Sequence, residues 1–200
     1  MTVAIRLATP EDAEQIQAIY APFVQETPVS FEVEVPDVEE VARRISDTLT
    51  HLPWLVCADQ ERVFGFVYAS THRARIAYQW SVDVSVYIHE QHRRKGLARA
   101  LYTSLFACLR LQGFYNAIAG ITLPNAGSVG IHTAMGFEPV GVYRAVGYKL
   151  GAWHDVGWWQ LMLQKYVSEP VPPEEFTRLV GRPEWPAALA AGLPLLSPSL

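Results

Sequence analysis

One stretch of the chain, residues 80–109, restricts the possible folds more than any other. Within it a strand pattern gives way to a helix pattern across a cationic turn. Val82, Val84, Val86 and Ile88 alternate with Asp83, Ser85, Tyr87 and His89, the period of two that marks a strand. Leu97, Leu101, Leu105 and Leu109 then recur at helical spacing, and Gly113 supplies a terminator. Between the two lies His92-Arg93-Arg94-Lys95-Gly96-Leu97-Ala98. A helix start offers unpaired N–H groups and a partial positive charge, and a glycine lets the backbone approach a ligand closely. Such a turn suits a phosphate, although the same residues also make an ordinary solvated basic corner.

The flanking sequence supplies further sheet and helix. Residues 3–7 read as a strand, and Thr9-Pro10-Glu11-Asp12 caps a helix whose apolar face is Ala13, Ile16, Tyr20 and Phe23. Asp37 caps a second helix carrying Val38, Val41, Ile45, Leu49 and Leu52. Strands are predicted at 54–58, 63–70, 115–121, 137–146 and 156–163, with a short helix between Asn125 and Gly136. The order implies an α/β (α+β) fold, a mixed central sheet with helices on its faces. From Glu169 onward proline and alanine dominate. The expected division is a domain over 1–166 and a tail over 167–200, the tail disordered or draped on a partner surface.

Composition narrows the function classes. The net charge of −4 provides no global field for nucleic acid or an anionic membrane, so any anion must be held by local groups. Charged, polar or proline residues interrupt every apolar run before it reaches membrane-spanning length. Cys57 and Cys108 form no Cys-x-x-Cys pattern, and with no signal-peptide pattern at the start a reducing cytoplasm is the expected setting. His89, His92, His132 and His154 show no ligand-type spacing, so no metal is expected.

Two further groups carry chemistry. Asn125, Ser128 and His132, spaced by three and four residues, share one face of the short helix. Asp83 lies among valines in a strand that should be central, and a carboxylate there needs a partner or a task. Arg73 and Arg75 are candidate partners.

The basic glycine turn, with the Asn125…His132…Gly136-Phe137 run, resembles the GCN5-related N-acetyltransferase (GNAT) superfamily. The segments Trp-Ser-Val-Asp-Val-Ser-Val-Tyr (80–87), Leu-Tyr-Thr-Ser-Leu (101–105), Leu-Pro-Asn (123–125) and Gly-Tyr-Lys-Leu-Gly-Ala-Trp-His-Asp-Val (147–156) are similar to the phosphinothricin acetyltransferases within it. The resemblance implies a GNAT fold with a mostly antiparallel sheet and acetyl-CoA as co-substrate. Arg93, Arg94, Lys95, Gly96, Leu97, Ala98 and Arg99 would then meet the pyrophosphate. Val86 and Ile88 would meet the acetyl arm through backbone groups, and Asn125 and Ser128 would line the rest of the cofactor site. It implies Asp83 as general base, where the family has glutamate, with His132 or Tyr87 as proton donor to the leaving thiolate. Phe31, Arg73, Arg75 and Tyr78 would contact a small amino-acid-like amine. A homodimer is also implied, with Trp153, Trp158 and Trp159 as an exposed aromatic patch at the interface. Two other readings stay open: a GNAT enzyme with a different amine acceptor, and an acyl-CoA-binding sensor that has lost its base. Arg73 and Arg75 speak against a polyamine.

Overall fold

The computed structural model describes residues 3–197. Its sheet has seven strands: β1 (Ala4–Leu7), β2 (Trp54–Ala58), β3 (Val63–Thr71), β4 (Ser81–Ile88), β5 (Asn116–Leu123), β6 (Glu138–Lys149) and β7 (Ala152–Met162). They are ordered β1-β2-β3-β4-β5-β7-β6. Every neighbouring pair is antiparallel except β4 with β5. That one parallel junction is short. Only Ser81, Asp83 and the residue between them pair with β5, opposite Asn116–Ile118, after which the strands diverge.

Helices α1 (Ala13–Gln25) and α2 (Val38–Leu49) cover one face and α3 (Leu97–Gln112) covers the other. The alternation of β4 decides which side chains meet which layer. Val82 and Val84 join Leu97, Leu101 and Leu105 in the larger core. Tyr87 turns to the opposite face, where its ring meets the edges of Tyr20 and Phe23 on α1. Asp37 caps α2 by accepting from Glu40 N–H at 2.8 Å, a contact worth about 1 kcal/mol. Gly113 ends α3 in the left-handed conformation, as its position predicts.

Two expectations are corrected. The late strands, expected at 137–146 and 156–163, run further toward each other and form one long hairpin. Leu150 and Gly151 turn it, both at positive φ. Residues 170–197, expected to be disordered or draped on a partner surface, are ordered and strap their own domain. Trp80 Nε1 donates to Val171 O at 2.9 Å, and Glu174 N donates to Gln112 O at 2.8 Å. Beyond them α5 (Phe176–Leu179) and α6 (Trp185–Ala190) bury Phe176, Leu179 and Trp185 against Cys108 of α3. The proline count suggested disorder, but these three side chains supply enough apolar surface to hold the strap down.

Candidate active site

Where β4 leaves β5 the sheet opens into a cleft. Its walls are Val84, Ser85, Val86 and Tyr87 on one strand and Ala119, Gly120, Ile121 and Thr122 on the other. His89 N donates to Phe64 O on β3. Strand alternation then turns the N–H groups of Tyr87 and Ser85 toward β3, and those of Val86 and Ile88 toward the cleft. Two donors thus line an edge that has no strand partner.

Helix α4 (Ala126–Ala134) closes the far side. Asn125 caps it, its Oδ1 accepting from Ser128 N at 3.0 Å. The shared face of Asn125, Ser128 and His132 lines the cleft, as their spacing predicts. The environment of His132 could not be read from that spacing. Its Nδ1 lies 2.7 Å from Ser128 O, which only accepts, so Nδ1 carries the proton. Nε2 then accepts from Tyr102 Oη at 2.9 Å. Burial lowers the His132 pKa, while the Ser128 carbonyl opposes that effect, and burial raises Tyr102. Both are neutral at neutral pH. Tyr102, fully buried at the cleft floor, is a site residue that the sequence analysis missed.

Asp83 is the last β4 residue paired with β5, so it stands at the point of divergence, on the α1–α2 face. Its Oδ1 lies 2.8 Å from His72 Nδ1. Burial raises its pKa, with the His72 hydrogen bond pulling the other way and Arg73 adding a weaker downward pull. The anticipated pairing with Arg73 or Arg75 is not formed: the ion-pair partner of Asp83 among the described residues is His72. The arginines follow β3 on an exposed loop, and Arg73 acts on the carboxylate as a weaker charge–charge effect without an ion pair. His72 also meets the Tyr78 ring edge-on, with centroids 5.8 Å apart. Tyr78, itself exposed, is thereby brought within one residue of Asp83.

Phe31 sits on the loop between α1 and α2, against Gly147 of β6, where its ring occupies the space of a side chain. Lys149 Nζ holds this loop through Ser30 O at 2.6 Å. Val29, from the same loop, reaches the cleft wall. Tyr87, Tyr102, Asn125, Ser128 and His132 thus line one opening, and Asp83 precedes Val84 of its wall; Phe31 shares a loop with Val29, and Arg73, Arg75 and Tyr78 lie on the connection between β3 and β4.

The basic turn joins β4 to α3. Arg93 lies over the Phe23 ring at 5.1 Å from the centroid, while Arg94 and Gly96 hold positive φ of 61° and 83°. Gly96 is the N-cap of α3, so the helix's unpaired N–H groups open beside these cations.

A family model described as an acetyltransferase (GNAT) domain matches residues 5–158. The chain belongs to the GNAT acetyltransferases. Its mixed, mostly antiparallel sheet with flanking helices is the fold of that family, and it is an N-acetyltransferase. This GNAT chain is 38% identical over 171 residues to phosphinothricin N-acetyltransferase of Streptomyces viridochromogenes, covering 86% of this chain and 91% of that one. It is 33% identical to the L-methionine sulfoximine/L-methionine sulfone acetyltransferase of Pseudomonas aeruginosa, covering 85% and 100%. A crystal structure of a phosphinothricin acetyltransferase from Sinorhizobium meliloti in complex with acetyl-CoA superposes with a TM-score of 0.79 at 32% identity, covering 88% and 99%.

Proposed function

We propose that this GNAT enzyme transfers the acetyl group of acetyl-CoA to the α-amine of a small amino acid of the phosphinothricin, methionine sulfoximine or methionine sulfone type. The observation that carries the reading is the meeting, at one strand divergence, of a shielded carboxyl with two cleft-facing backbone N–H groups. The two relatives named for those acceptors support it.

The chemistry follows from the positions. The amine arrives as an ammonium and must lose a proton before it attacks; Asp83 takes it, directly or through one water, since aspartate is a methylene shorter than the glutamate of similar enzymes. The new C–N bond forms as the carbonyl becomes an oxyanion, and the N–H groups of Val86 and Ile88 stabilise that charge. The C–S bond then breaks. Tyr102, whose O–H is held by His132 Nε2 at rest, gives that proton to the departing sulfur, and the proton shed by the newly bonded nitrogen restores the phenol. Tyr87 packs against Tyr20 and Phe23 and shapes the wall. Arg94, Lys95 and the α3 N-terminus hold the pyrophosphate, and Arg73 and Arg75 face the acceptor's acidic groups.

A homodimer completes the proposal. Its support is the open edge of β6, where Val140, Val142, Tyr143 and Tyr148 are exposed beside Trp153. The aromatic patch differs from the one predicted. Trp159 is buried in the main core, and Trp158, on the opposite face of the interior strand β7, lies over Gly120 and Tyr143.

Acetyl transfer from acetyl-CoA to methionine sulfone under single-turnover conditions tests the function. Product formed within one turnover is expected. Tight cofactor binding with no transfer to any amino acid sulfone or phosphinate would end this acceptor assignment and point to another amine.

A further inference from the structure

The strap formed by the C-terminal segment runs along α3 from its last turn at Gln112 back to its first at Gly96. Its final portion reaches the basic turn itself. Gly192 N donates to Ser104 Oγ at 3.0 Å, and Gly192 lies so close to the Ala100 carbonyl that an added Cβ would overlap it. Leu193 and Leu196 pack on the core cluster that contains Leu97 and Leu101. Leu195 O then stands against Gly96, 2.9 Å from where a Cβ would be. Gly96 is therefore required twice: its φ of 83° lies in the left-handed region, and its open side is occupied by the chain's own terminus.

Up to Arg93 the turn is held by the Arg93 N–H to Glu90 O bond and by the Phe23 ring, whereas its last residues meet the strap. Arg93, Arg94 and Gly96 are exposed, and Arg94 keeps a φ of 61° that a side-chain-bearing residue rarely adopts. A loop that binds an anion through oriented N–H groups gains affinity when its shape is fixed beforehand.

We infer that residues 192–196 are a positioning element of the pyrophosphate turn: by clamping Gly96 and the first two turns of α3 they set cofactor affinity without entering the chemistry. The inference rests on the proposed role of that turn in holding the cofactor. It concerns a segment that lies beyond the residues 5–158 shared with the family.

The test is Gly192→Ala in the full chain, whose methyl cannot fit against the Ala100 carbonyl. Calorimetry should show the Kd for coenzyme A rising on the order of tenfold. The KM for acetyl-CoA should follow, while kcat and the acceptor KM stay within about twofold. Hydrogen exchange should quicken at the amides of residues 94–99. Gly181→Ala, in the same segment but with only an ordinary 3.6 Å contact to Arg178 O, should match the wild type. Should Gly192→Ala fail to fold, Ser104→Ala removes just the acceptor for Gly192 N and should show the same split at smaller size. Unchanged coenzyme A affinity together with faster exchange at 94–99 overturns the inference. So does a fall in kcat at constant KM. Arg94→Ala with Lys95→Ala separates the two claims: if that pair leaves affinity unchanged the turn does not hold the cofactor, whereas if it weakens binding and Gly192→Ala does not, only the clamp is wrong.

Discussion

Asp83 keeps about a third of its side chain exposed, at 32%, and burial still raises its pKa above the ordinary carboxylate value, with His72 as the main opposing influence. A base must be ionised to act, so kcat/KM should climb with pH through that raised pKa. His72→Ala removes the opposing hydrogen bond and should move the acidic limb of the profile to higher pH; a limb that stays put, or moves down, would show that His72 does not tune the base. The stability consequence has a definite sign. With the folded pKa above the unfolded one, the native state binds the extra proton, so this group's contribution weakens as pH rises through the window between them. Asp83→Asn should therefore leave the melting temperature at neutral pH equal or higher, while turnover drops by roughly 10²–10⁴-fold. A lower melting temperature with full activity would assign Asp83 a structural role. Asp83 was legible because its strand alternates so cleanly. His72 was not, since a histidine ahead of two arginines has no periodicity to betray it. Tyr102 was hidden for a different reason: in a stripe of leucines a buried tyrosine reads as core, and only its contact with His132 separates it from Phe106 beside it.

Elements were legible where side-chain period and terminators agreed. β4, α3 and the Asn125-capped α4 lie where those signals put them, because one face of each must be buried and the period follows. The hairpin turn at Leu150 and Gly151 was not foreseen, as a leucine in the left-handed region is no turn signal. The strap was missed because its anchors, Phe176, Leu179 and Trp185, follow neither period and lie among prolines. At this scale the basic turn makes its own prediction. Replacing Arg94 and Lys95 together by alanine should weaken coenzyme A binding several-fold and flatten its dependence on salt, because two screened charges are gone. Titration calorimetry at low and high ionic strength reads both, and parallel curves for variant and wild type would remove the turn from the cofactor site.

For the whole molecule, the open β6 edge is the feature on which the proposed homodimer rests. An exposed strand bearing Val140, Val142, Tyr143 and Tyr148 is a template for pairing with another chain. Light scattering at micromolar concentration should give twice the chain mass, and Val142→Lys should shift it toward the single chain. A wild type of single-chain mass would end the proposal. The other feature lies at the opposite end of β5. Among the described residues, three residue pairs, with Trp80 O accepting from Tyr115 N and Asn116 N beside them, join the β1–β4 half of the sheet to the β5–β7 half before the strands part. The seam with the fewest strand pairs is therefore also the seam at which the reaction is proposed to occur. A ligand that bridges it acts as a rivet between two half-bodies, so acetyl-CoA should raise the melting temperature and slow amide exchange along both lips of the opening, residues 84–88 and 119–123, more than at the outer strands. In such a molecule catalytic occupancy and mechanical integrity are one variable, and a cell that runs short of acetyl-CoA would hold a measurably softer protein.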